Sequence, residues 1–328
     1  FMFGVNASGV KNDGIIIRDD GFPDLTADPI WFVKTRIVSY GWNAEMKIPV
    51  SQLRFSDDTS KKWGLQIVRF YFRNQEYDTW QNVPDSISGW VRNYGELHGI
   101  NNLKPKKAIE VAPYILGKTE LFNAEVGNPY TNGRDFGFDV GIDGKVGLSN
   151  NFTLDFAINP DFGQVEADPS QLNLTAYETY YQEKRPFFLE GRNITSYNLG
   201  LGYTFDNLFY SRRIGRAPQG NPTLHEGEYA DIPERTRILG ALKLTGKTKN
   251  GWSIGIVESF TNNENAQIDN NGNGREESVE PYTNYFLARV QKDINKGNTI
   301  IGGIITNVYR DINSANLEFL NTTASSAG

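Results

Sequence analysis

The chain has 328 residues, a formal net charge of −6 and a sequence pI of about 5.2, an acidic balance that argues against a nucleic-acid-binding surface. It contains no cysteine, which excludes disulfide frameworks, thiolate metal sites and cysteine nucleophiles. Its two histidines, His98 and His225, make a multi-histidine zinc site unexpected, and no apolar run reaches the ~18 residues of a transmembrane helix.

Residues 1–104 have the pattern of a β domain. The runs FMFGVN, RIVSYGWNAEMKIP and KKWGLQIVRFYFRN are rich in β-branched and aromatic residues, and turn-like segments separate them. This pattern predicts a β-sandwich, which NNLKPKK links to the remainder of the chain. The chain begins within strand-like sequence and no signal peptide precedes it, so we expect the N-terminal part of this domain to be missing.

Residues 105–328 follow a different pattern, in which apolar and polar residues alternate over long runs. In residues 135–148 the apolar side carries Phe136, Phe138, Val140, Ile142, Val146 and Leu148, and the polar side carries Asp135, Asp139, Asp143 and Lys145. Each run is long enough to cross a bilayer as a strand, which takes about 9–11 residues. A hydrophobic fraction of 38% with 33 glycines suits a membrane β-barrel, because only alternate residues need be apolar.

Seven such runs predict seven antiparallel strands, at residues 108–121, 135–148, 151–162, 237–247, 252–260, 285–292 and 299–310. Short turns alternate with the long loops 122–134, 164–236 and 261–283, as in outer-membrane barrels. The alternative is a soluble sandwich with one face in water.

The predicted strand number is odd, whereas bacterial barrels close with an even number of at least about eight. Open edges are not tolerated in hydrocarbon, and the terminal NTTASSAG shows no closing strand. We therefore expect an incomplete barrel whose remaining strands lie in a longer protein or in another chain.

Residues 164–236, which we call the insert, form a long excursion between two predicted strands, and such loops are usually functional. We expect the insert to act as a plug or gate, with its basic residues paired to the acidic lumen residues Asp139, Asp143 and Asp155. The predicted plug residues are Glu183, Lys184, Arg185, Phe187, Phe188, Arg212 and Arg213, supported by Arg216, Phe209 and Tyr210. The alternative is a surface loop that packs on itself.

The segment DNNGNGREESVE matches the spacing of a 12-residue calcium loop, whose clustered oxygens suit a hard cation. Its predicted ligands are Asp269, Asn271, Asn273, Arg275 through its carbonyl, Glu277 and Glu280, with Gly274 at the sharp turn. Calcium is the one cofactor that the sequence suggests. The alternative is a polar loop tip, for which Asn and Gly are favoured.

No catalytic constellation is identifiable. A glycosidase needs two carboxylates across the scissile bond, and the middle of the chain offers many acids with no way to choose a pair. These acids are Asp161, Glu166, Asp168, Glu178, Glu183 and Glu190. HExxH and P-loop motifs are absent from the sequence, so we do not expect an enzyme.

Several blocks carry a family resemblance: GWNAEMKIPVSQLRF, GELHGINNLKPKKAIEVAPYILG, NFTLDFAINPDFGQVEADPSQLNLTAYETYYQEKRPFFLEG, LFYSRRIGRAP and LKLTGKTKNGWSIG. The chain resembles Bacteroidota outer-membrane proteins in which a family 9 carbohydrate-binding-like domain precedes a barrel domain of unknown function. The resemblance covers residues 1–310. It implies sugar binding and, in some members, a hydrolase label.

Family 9 modules hold a terminal sugar between two tryptophans, and exposed aromatic planes suit this role. The candidates are Trp31, Trp80 and Trp90, which lie near turns, whereas Trp42 and Trp63 lie within strand-like runs and are expected in the core.

The leading interpretation is an outer-membrane β-barrel protein with a periplasmic N-terminal domain that recognises or handles glycan at the cell envelope. Its expected partners are outer-membrane lipid, glycan and other outer-membrane proteins. Two alternatives remain: a structural partner in a larger outer-membrane complex, and a membrane-associated glycoside hydrolase.

Overall fold

The computed structural model describes residues 1–16, 19, 21–25, 29–53, 55, 62–84, 86–100, 109–149, 151–160, 178–197, 207–248, 250–270, 272–294 and 299–328. Over these residues the chain is nearly all β and its sheets are antiparallel, which confirms the predicted fold class. The chain divides into two compact units, Phe1–Ala108 and Ile109–Gly328. No helix in the described ranges is long and apolar enough to cross a membrane.

The first unit consists of small antiparallel sheets. Its described strands are β1 (Met2–Val5), β2 (Lys11–Ile16), β3 (Pro23–Asp24), β4 (Phe32–Val38), β5 (Gly41–Lys47), β6 (Trp63–Leu65), β7 (Val68–Tyr71), β8 (Glu76–Thr79) and β9 (Gly95–Leu97). They pair as β1-β2-β3, β4-β5, β6-β9 and β7-β8.

The second unit contains longer strands and two short helices within the described residues. These elements are β10 (Ile109–Leu121), β11 (Arg134–Gly147), β12 (Phe152–Ile158), α1 (Pro186–Leu189), α2 (Arg192–Thr195), β13 (Tyr229–Asp231), β14 (Ile238–Lys247), β15 (Trp252–Thr261), β16 (Glu264–Asn270), β17 (Asn273–Glu280), β18 (Tyr282–Ile294), β19 (Thr299–Asp311) and β20 (Thr323–Ala327).

Eight of these described strands form one antiparallel sheet, the large sheet, in the order β10-β11-β12-β14-β15-β18-β19-β20. Within this sheet, strands that are consecutive along the chain are neighbours, once the three strands outside the sheet are left out of the order. Those three, β13, β16 and β17, form a separate antiparallel sheet within the long loops, which we call the loop sheet.

All seven predicted barrel strands are present, as β10, β11, β12, β14, β15, β18 and β19. The predicted count of seven strands is wrong, because Thr323–Ala327 within NTTASSAG forms an eighth strand, which pairs with β19 from Tyr309↔Thr323 to Ile305↔Ala327. Its small polar residues lack the apolar alternation by which strands are recognised.

The large sheet has two chemically different faces, because successive side chains of a strand point to opposite sides. One face, the polar face, carries Asp143, Lys145, Asp155, Lys243 and Arg289. The other, the apolar face, carries exposed side chains that include Ile109, Val111, Ile115, Phe136, Phe138, Val140, Leu242, Val290, Ile301 and Ile305. Phe138, for example, is 69% exposed.

Close packing between strands on the polar face depends on one glycine. Tyr114 of β10 lies opposite Gly141 of β11, and a Cβ at Gly141 would collide with the Tyr114 hydroxyl. The Tyr114 hydroxyl crosses this gap and donates to the carbonyl of Asn159 at 3.0 Å. Glycine within a strand thus permits a close approach that no other residue allows.

Candidate functional site

The described parts of the insert, residues 178–197 and 207–236, pack on the polar face of the large sheet. Helix α1 contacts β12, and helix α2 contacts β14, β15 and β18. Pro186 starts α1, where its missing N–H costs no helical hydrogen bond. These described parts of the insert therefore cover the charged side of the sheet, whereas side chains on the apolar side are exposed among the described residues.

Gly191 joins the two short helices and allows them to approach the sheet. Its φ is 69°, a left-handed conformation that glycine adopts without steric cost. A Cβ at this position would meet Thr245 Cγ2 on β14 at 3.1 Å. On β15, a Cβ at Gly255 would likewise lie 3.1 Å from Ile194 of α2.

Three cations of the large sheet bind the insert, and we call these interactions the seating contacts. Lys145 Nζ lies 2.6 Å from Glu190 Oε1. Lys243 Nζ donates a hydrogen bond to the carbonyl of Phe187. Arg289 Nη1 donates to the carbonyl of Ile194 at 2.7 Å. The seating contacts therefore link β11, β14 and β18 to consecutive parts of one short segment.

Lys243 is the most deeply placed of these cations, with 2% of its side chain exposed. Its ammonium group lies 3.5 Å from Asp155 Oδ2 on the neighbouring strand and 4.7 Å from the centre of the Phe187 ring. A buried charge is costly unless it is paired and hydrogen-bonded. The carboxylate of Asp155, the carbonyl of Phe187 and its ring together provide that compensation.

Arg185 organises the insert internally. Its guanidinium donates to both carboxylate oxygens of Glu183 at 2.8 Å, in a bidentate pair with both side chains 5% exposed. It also donates to the carbonyls of Ile214 and Ser211, each at 2.7 Å, and lies 4.3 Å from the centre of the Phe188 ring. Arg185 thus ties residues 183–188 to residues 211–214.

The environment of Glu183 favours its charged form. Burial raises the pKa of the Glu183 carboxyl, but the hydrogen bonds and charge of Arg185 and the Ser211 hydroxyl outweigh burial, so its pKa lies below the ordinary value. The carboxylate therefore stays ionised and paired under neutral conditions.

Apolar side chains of the insert fill the space above the polar face. Phe188 and Ile214 are buried against Ile238 of β14 and Tyr285 of β18. Phe209 packs against both this cluster and a second one, which contains Val257 and Leu287. Burial of such side chains stabilises a contact by about 1.5–3 kcal/mol each.

The predicted pairing between basic insert residues and acidic lumen residues is wrong for the pairs that the structure describes. Arg185 pairs with Glu183, and Arg213 and Arg216 both pair with Glu178 inside the insert. The sheet carboxylates find partners near their own strands, Asp155 with Lys243 and Asp139 with Arg237. Local partners prevail because a neighbouring strand or turn fixes both groups at contact distance.

The remaining predicted plug residues lie around this segment. Lys184 is half-buried between Glu183 and Arg185. Arg212 and Arg213 form a 3₁₀ turn with Ser211. Burial lowers the pKa of the Arg212 guanidinium, with a smaller contribution from Arg235. Arg213 contacts Glu178 at 2.6 Å, and its backbone carbonyl accepts a hydrogen bond from Tyr285 at 3.4 Å.

The predicted calcium ligands are not brought together. They lie in the hairpin β16–β17, where Asp269 stands beside the turn and Glu280 lies at the far end of β17. The predicted ligands Asn273, Arg275 and Glu277 lie along the extended strand β17 between them. Asn271 lies outside the described residues. A calcium loop must instead wrap its oxygens around one point.

A guanidinium already neutralises one acid of this hairpin, Glu277, together with Glu228 outside it. Arg275 lies 2.9 Å from both Glu228 and Glu277. Glu280 is 1% exposed and accepts a hydrogen bond from the Gln219 amide at 2.7 Å. In the described part of the chain, no group of three or more His, Cys, Asp or Glu residues is arranged to hold a metal ion. The calcium-loop interpretation is therefore corrected to a β-hairpin, whose strands are joined by backbone pairing and by hydrogen bonds from Asn265 and Gln267 to Glu276.

The three candidate sugar-binding tryptophans differ in burial. Trp31 is only 2% exposed, and its Nε1 donates to Asp13 Oδ2 at 2.6 Å, so its predicted role as an exposed stacking platform is wrong. Trp80 is 57% exposed and lies directly over Gly95. Trp90 is half-buried and meets Tyr94 edge-on at 5.9 Å.

Two further tryptophan predictions can be compared with the structure. Trp42, expected in the core, is 43% exposed on β5, so that prediction is wrong. Trp63 is half-buried on β6 and packs against Phe55 at 5.0 Å. Trp42 is exposed because β5 is exposed along its whole length in this unit, so a place within a strand does not bring burial there.

Of the acids considered for catalysis, Asp161, Glu166 and Asp168 lie outside the described residues. The others are held in ion pairs: Glu178 with Arg213, Glu183 with Arg185, and Glu190 with Lys145. These ion pairs hold the insert together and attach it to the sheet.

The sequence did not predict which sheet residues hold the insert. These residues are Lys145, Lys243 and Arg289. The available signal was a cation at an inward-facing position of β11, β14 and β18, where a soluble sheet would place an apolar side chain. Two of their acceptors are backbone carbonyls, which leave no trace in the sequence.

Fold and site together define an all-β protein in which an antiparallel sheet carries a folded insert on its polar face. The chain belongs to the family described as Domain of unknown function (DUF5916), whose model matches residues 109–326. No curated protein and no solved structure gives a significant match.

Proposed function

We propose that the unit Ile109–Gly328 forms part of an outer-membrane β-barrel and that its insert blocks the barrel lumen. The two faces of the large sheet support this proposal, because the apolar face is exposed and the polar face is covered by the insert. In water such an arrangement would expose apolar surface without compensation. In a bilayer it matches the apolar outer band and polar interior of a membrane barrel.

The seating contacts support the blocking role of the insert. Lys145, Lys243 and Arg289 hold the segment from Phe187 to Ile194 against three strands, and the aromatic cluster around Phe188 fills the gap. An insert held by both charge and burial would stop solutes until these contacts break.

The absence of cysteine allows a direct test of the membrane orientation. Single cysteines at Phe138, on the apolar face, and at Gly137, on the polar face, would carry a nitroxide spin label in lipid vesicles. We expect the label at Phe138 to be reached by oxygen, which dissolves in lipid, and the label at Gly137 to be reached by a water-soluble paramagnetic reagent. Equal access of the water-soluble reagent to both labels would contradict the proposal.

We further propose that the unit Phe1–Ala108 recognises glycan through Trp80 and Trp90, and that it lies on the periplasmic side. The placement of their rings supports this role: Trp80 lies on Gly95, Trp90 packs against the adjacent Tyr94, and more than half of Trp80 is exposed. An exposed indole provides a surface on which a sugar ring can stack.

Binding of the full-length chain to a glycan array tests this second proposal. Trp80→Ala should reduce binding to any positive glycan by about tenfold, since an aromatic contact contributes roughly 1 kcal/mol or more. Trp42→Ala is the matched control, because Trp42 is comparably exposed and has no proposed role. An array without positives, or equal losses in both variants, would favour a role in assembly with other envelope proteins.

A further inference from the structure

A row of polar side chains interrupts the apolar face of the large sheet. Glu258 of β15 stands opposite Phe286 of β18, which in turn stands opposite Asn307 of β19. Asn284 lies two residues from Phe286 on the same side of β18 and donates to Glu258 Oε1 at 2.6 Å. Asn307 donates to Ser325 Oγ of β20 at 2.8 Å.

These hydrogen bonds use the amide N–H groups of the row and leave acceptor oxygens. Both amide nitrogens are directed to neighbours in the row, so the carbonyl oxygens of Asn284 and Asn307 remain as acceptors beside Phe286. Among the described residues, Asn284 is the one side chain that donates a hydrogen bond to Glu258, and it binds Oε1. The second carboxylate oxygen of Glu258 is therefore a third acceptor. The row therefore presents one negative charge and three acceptors around an aromatic ring.

The row lies near one border of the apolar face. Along β15 this face carries Trp252, Ile254, Ile256, Glu258 and Phe260. Glu258 is six residues from Trp252, about 20 Å at the rise of a strand. It is two residues from Phe260, whose ring stacks on Tyr282. In a membrane barrel such aromatic residues mark the interface, so Glu258 lies at the level where headgroups meet hydrocarbon.

A groove continues from the row toward the middle of the apolar face. Its volume is about 440 Å³, and it is lined by Phe286, Ile305, Thr306, Asn307, Ser325, Ser326 and Ala327, whereas Glu258 and Asn284 adjoin it beside Phe286. Ile305 and Ala327 lie two residues further from the border than Asn307 and Ser325. The polar end of the groove is therefore at the headgroup level, and its apolar end lies within the hydrocarbon.

We infer that this groove binds a membrane phospholipid with a primary ammonium headgroup; the inference rests on the proposed barrel. The Glu258 carboxylate offsets the ammonium charge, and the carbonyls of Asn284 and Asn307 accept its N–H groups. The Phe286 ring adds a cation–π contact, and one acyl chain lies against Ile305 and Ala327. An ionisable side chain facing a bilayer requires such a partner.

The chemistry predicts a selectivity order. A primary ammonium has three N–H donors for the three acceptors, whereas a quaternary choline headgroup has none. An anionic glycerol headgroup would be repelled by Glu258. Phosphatidylethanolamine should therefore bind in preference to phosphatidylcholine, and phosphatidylglycerol should bind least.

The test uses the full chain in vesicles that contain equal parts of these three lipids, followed by native mass spectrometry of the retained lipids. We expect selective retention of phosphatidylethanolamine, and Glu258→Gln should lower its ratio to phosphatidylcholine about tenfold, as loss of a charge-assisted contact does. Phe286→Leu should lower the same ratio less. Glu226→Gln, an exposed glutamate in the insert, is the matched control and should leave the ratio unchanged.

Equal retention of the three lipids, or an unchanged ratio in Glu258→Gln, would overturn the inference. In the same vesicles, the spin labels at positions 138 and 137 measure insertion of the chain independently of lipid retention. Insertion without headgroup preference would refute the lipid site alone. A chain that does not insert into these vesicles would refute the barrel and the lipid site together.

Discussion

Lys243 on β14 donates a hydrogen bond to the backbone carbonyl of Phe187, and this contact joins the centre of the large sheet to the insert. The same ammonium group faces Asp155 on β12 at 3.5 Å. One buried lysine therefore links two strands and the segment that covers them.

Replacing Lys243 with Met should lower the free energy of unfolding by about 3 kcal/mol or more, because Asp155 would remain buried without its counter-charge. Urea unfolding of the full chain in vesicles measures the loss. The double variant Lys243→Met/Asp155→Leu should recover most of it, since replacing both members of a buried pair with apolar groups is often nearly neutral. Equal stability of the single variant and the natural chain would contradict the assigned role.

The close approach at Gly191 predicts a second stability difference. Gly191→Ala would meet Thr245 Cγ2 at 3.1 Å and would also adopt a strained left-handed conformation. Gly227→Ala is the matched control, because Gly227 has a φ of +84° but no atom lies within 4 Å of the point that its Cβ would occupy. The strain alone should cost about 1 kcal/mol, so Gly191→Ala should be the more destabilising of the two. Equal losses would show that the contact with β14 is unimportant.

Acid should loosen the insert through Glu183. The pKa of Glu183 is lowered in the folded chain from an ordinary value of 4.5, so its pairing with Arg185 contributes stability that is fully present above 4.5. This contribution is lost as the pH falls through the lower folded pKa. Urea midpoints measured between roughly pH 3 and pH 7 should fall on the acid side. Glu183→Gln should be less stable at neutral pH and should show a shallower acid decline; an unchanged decline would assign it to other carboxylates.

The burial of Trp31 predicts a structural rather than a ligand-binding phenotype. Trp31→Ala should destabilise the first unit by about 3–5 kcal/mol, the usual cost of removing a buried tryptophan. Trp42→Ala should cost less than about 1 kcal/mol, because the Trp42 side chain is exposed. Thermal unfolding of the full chain, followed by tryptophan fluorescence, compares them. Similar unfolding in both variants would contradict the core role of Trp31.

The hairpin β16–β17 should be indifferent to calcium. Arg275 already pairs with Glu228 and Glu277, and lowers the pKa of the Glu228 carboxyl through its hydrogen bonds. Titration calorimetry should therefore show no saturable binding of calcium to the full chain. Saturable heat that disappears in Asp269→Asn would restore the calcium-loop interpretation.

Regular alternation made the long strands predictable from the sequence. Phe136, Phe138 and Val140 alternate with charged or small residues over enough length to define a strand and its two faces. The short strand β20 was missed because Ser and Ala at adjacent positions give no such contrast. The loop-sheet strands β16 and β17 were missed because turn-forming residues dominated their sequence.

The sequence predicted which segment lies at the candidate site, but not which residues pair with each other there. EKRPFFLEG does lie on the sheet, yet Arg185 pairs two residues away with Glu183, and Lys243 binds a backbone oxygen. Residue types reveal which groups need partners. They do not reveal which partner lies nearest once a turn has folded, nor which carbonyl group faces a side chain.

The use of backbone oxygens at the seating contacts has an evolutionary consequence. Every residue at position 187 or 194 carries a carbonyl, so mutation there cannot remove the acceptor for Lys243 or Arg289. Substitutions within the two short helices can therefore change which side chains the insert presents while its attachment to the sheet persists. Selection on the attachment should fall on the sheet residues Lys243 and Arg289 and on Gly191. Homologous chains could in this way vary the surface of the insert without changing the sheet residues that hold it.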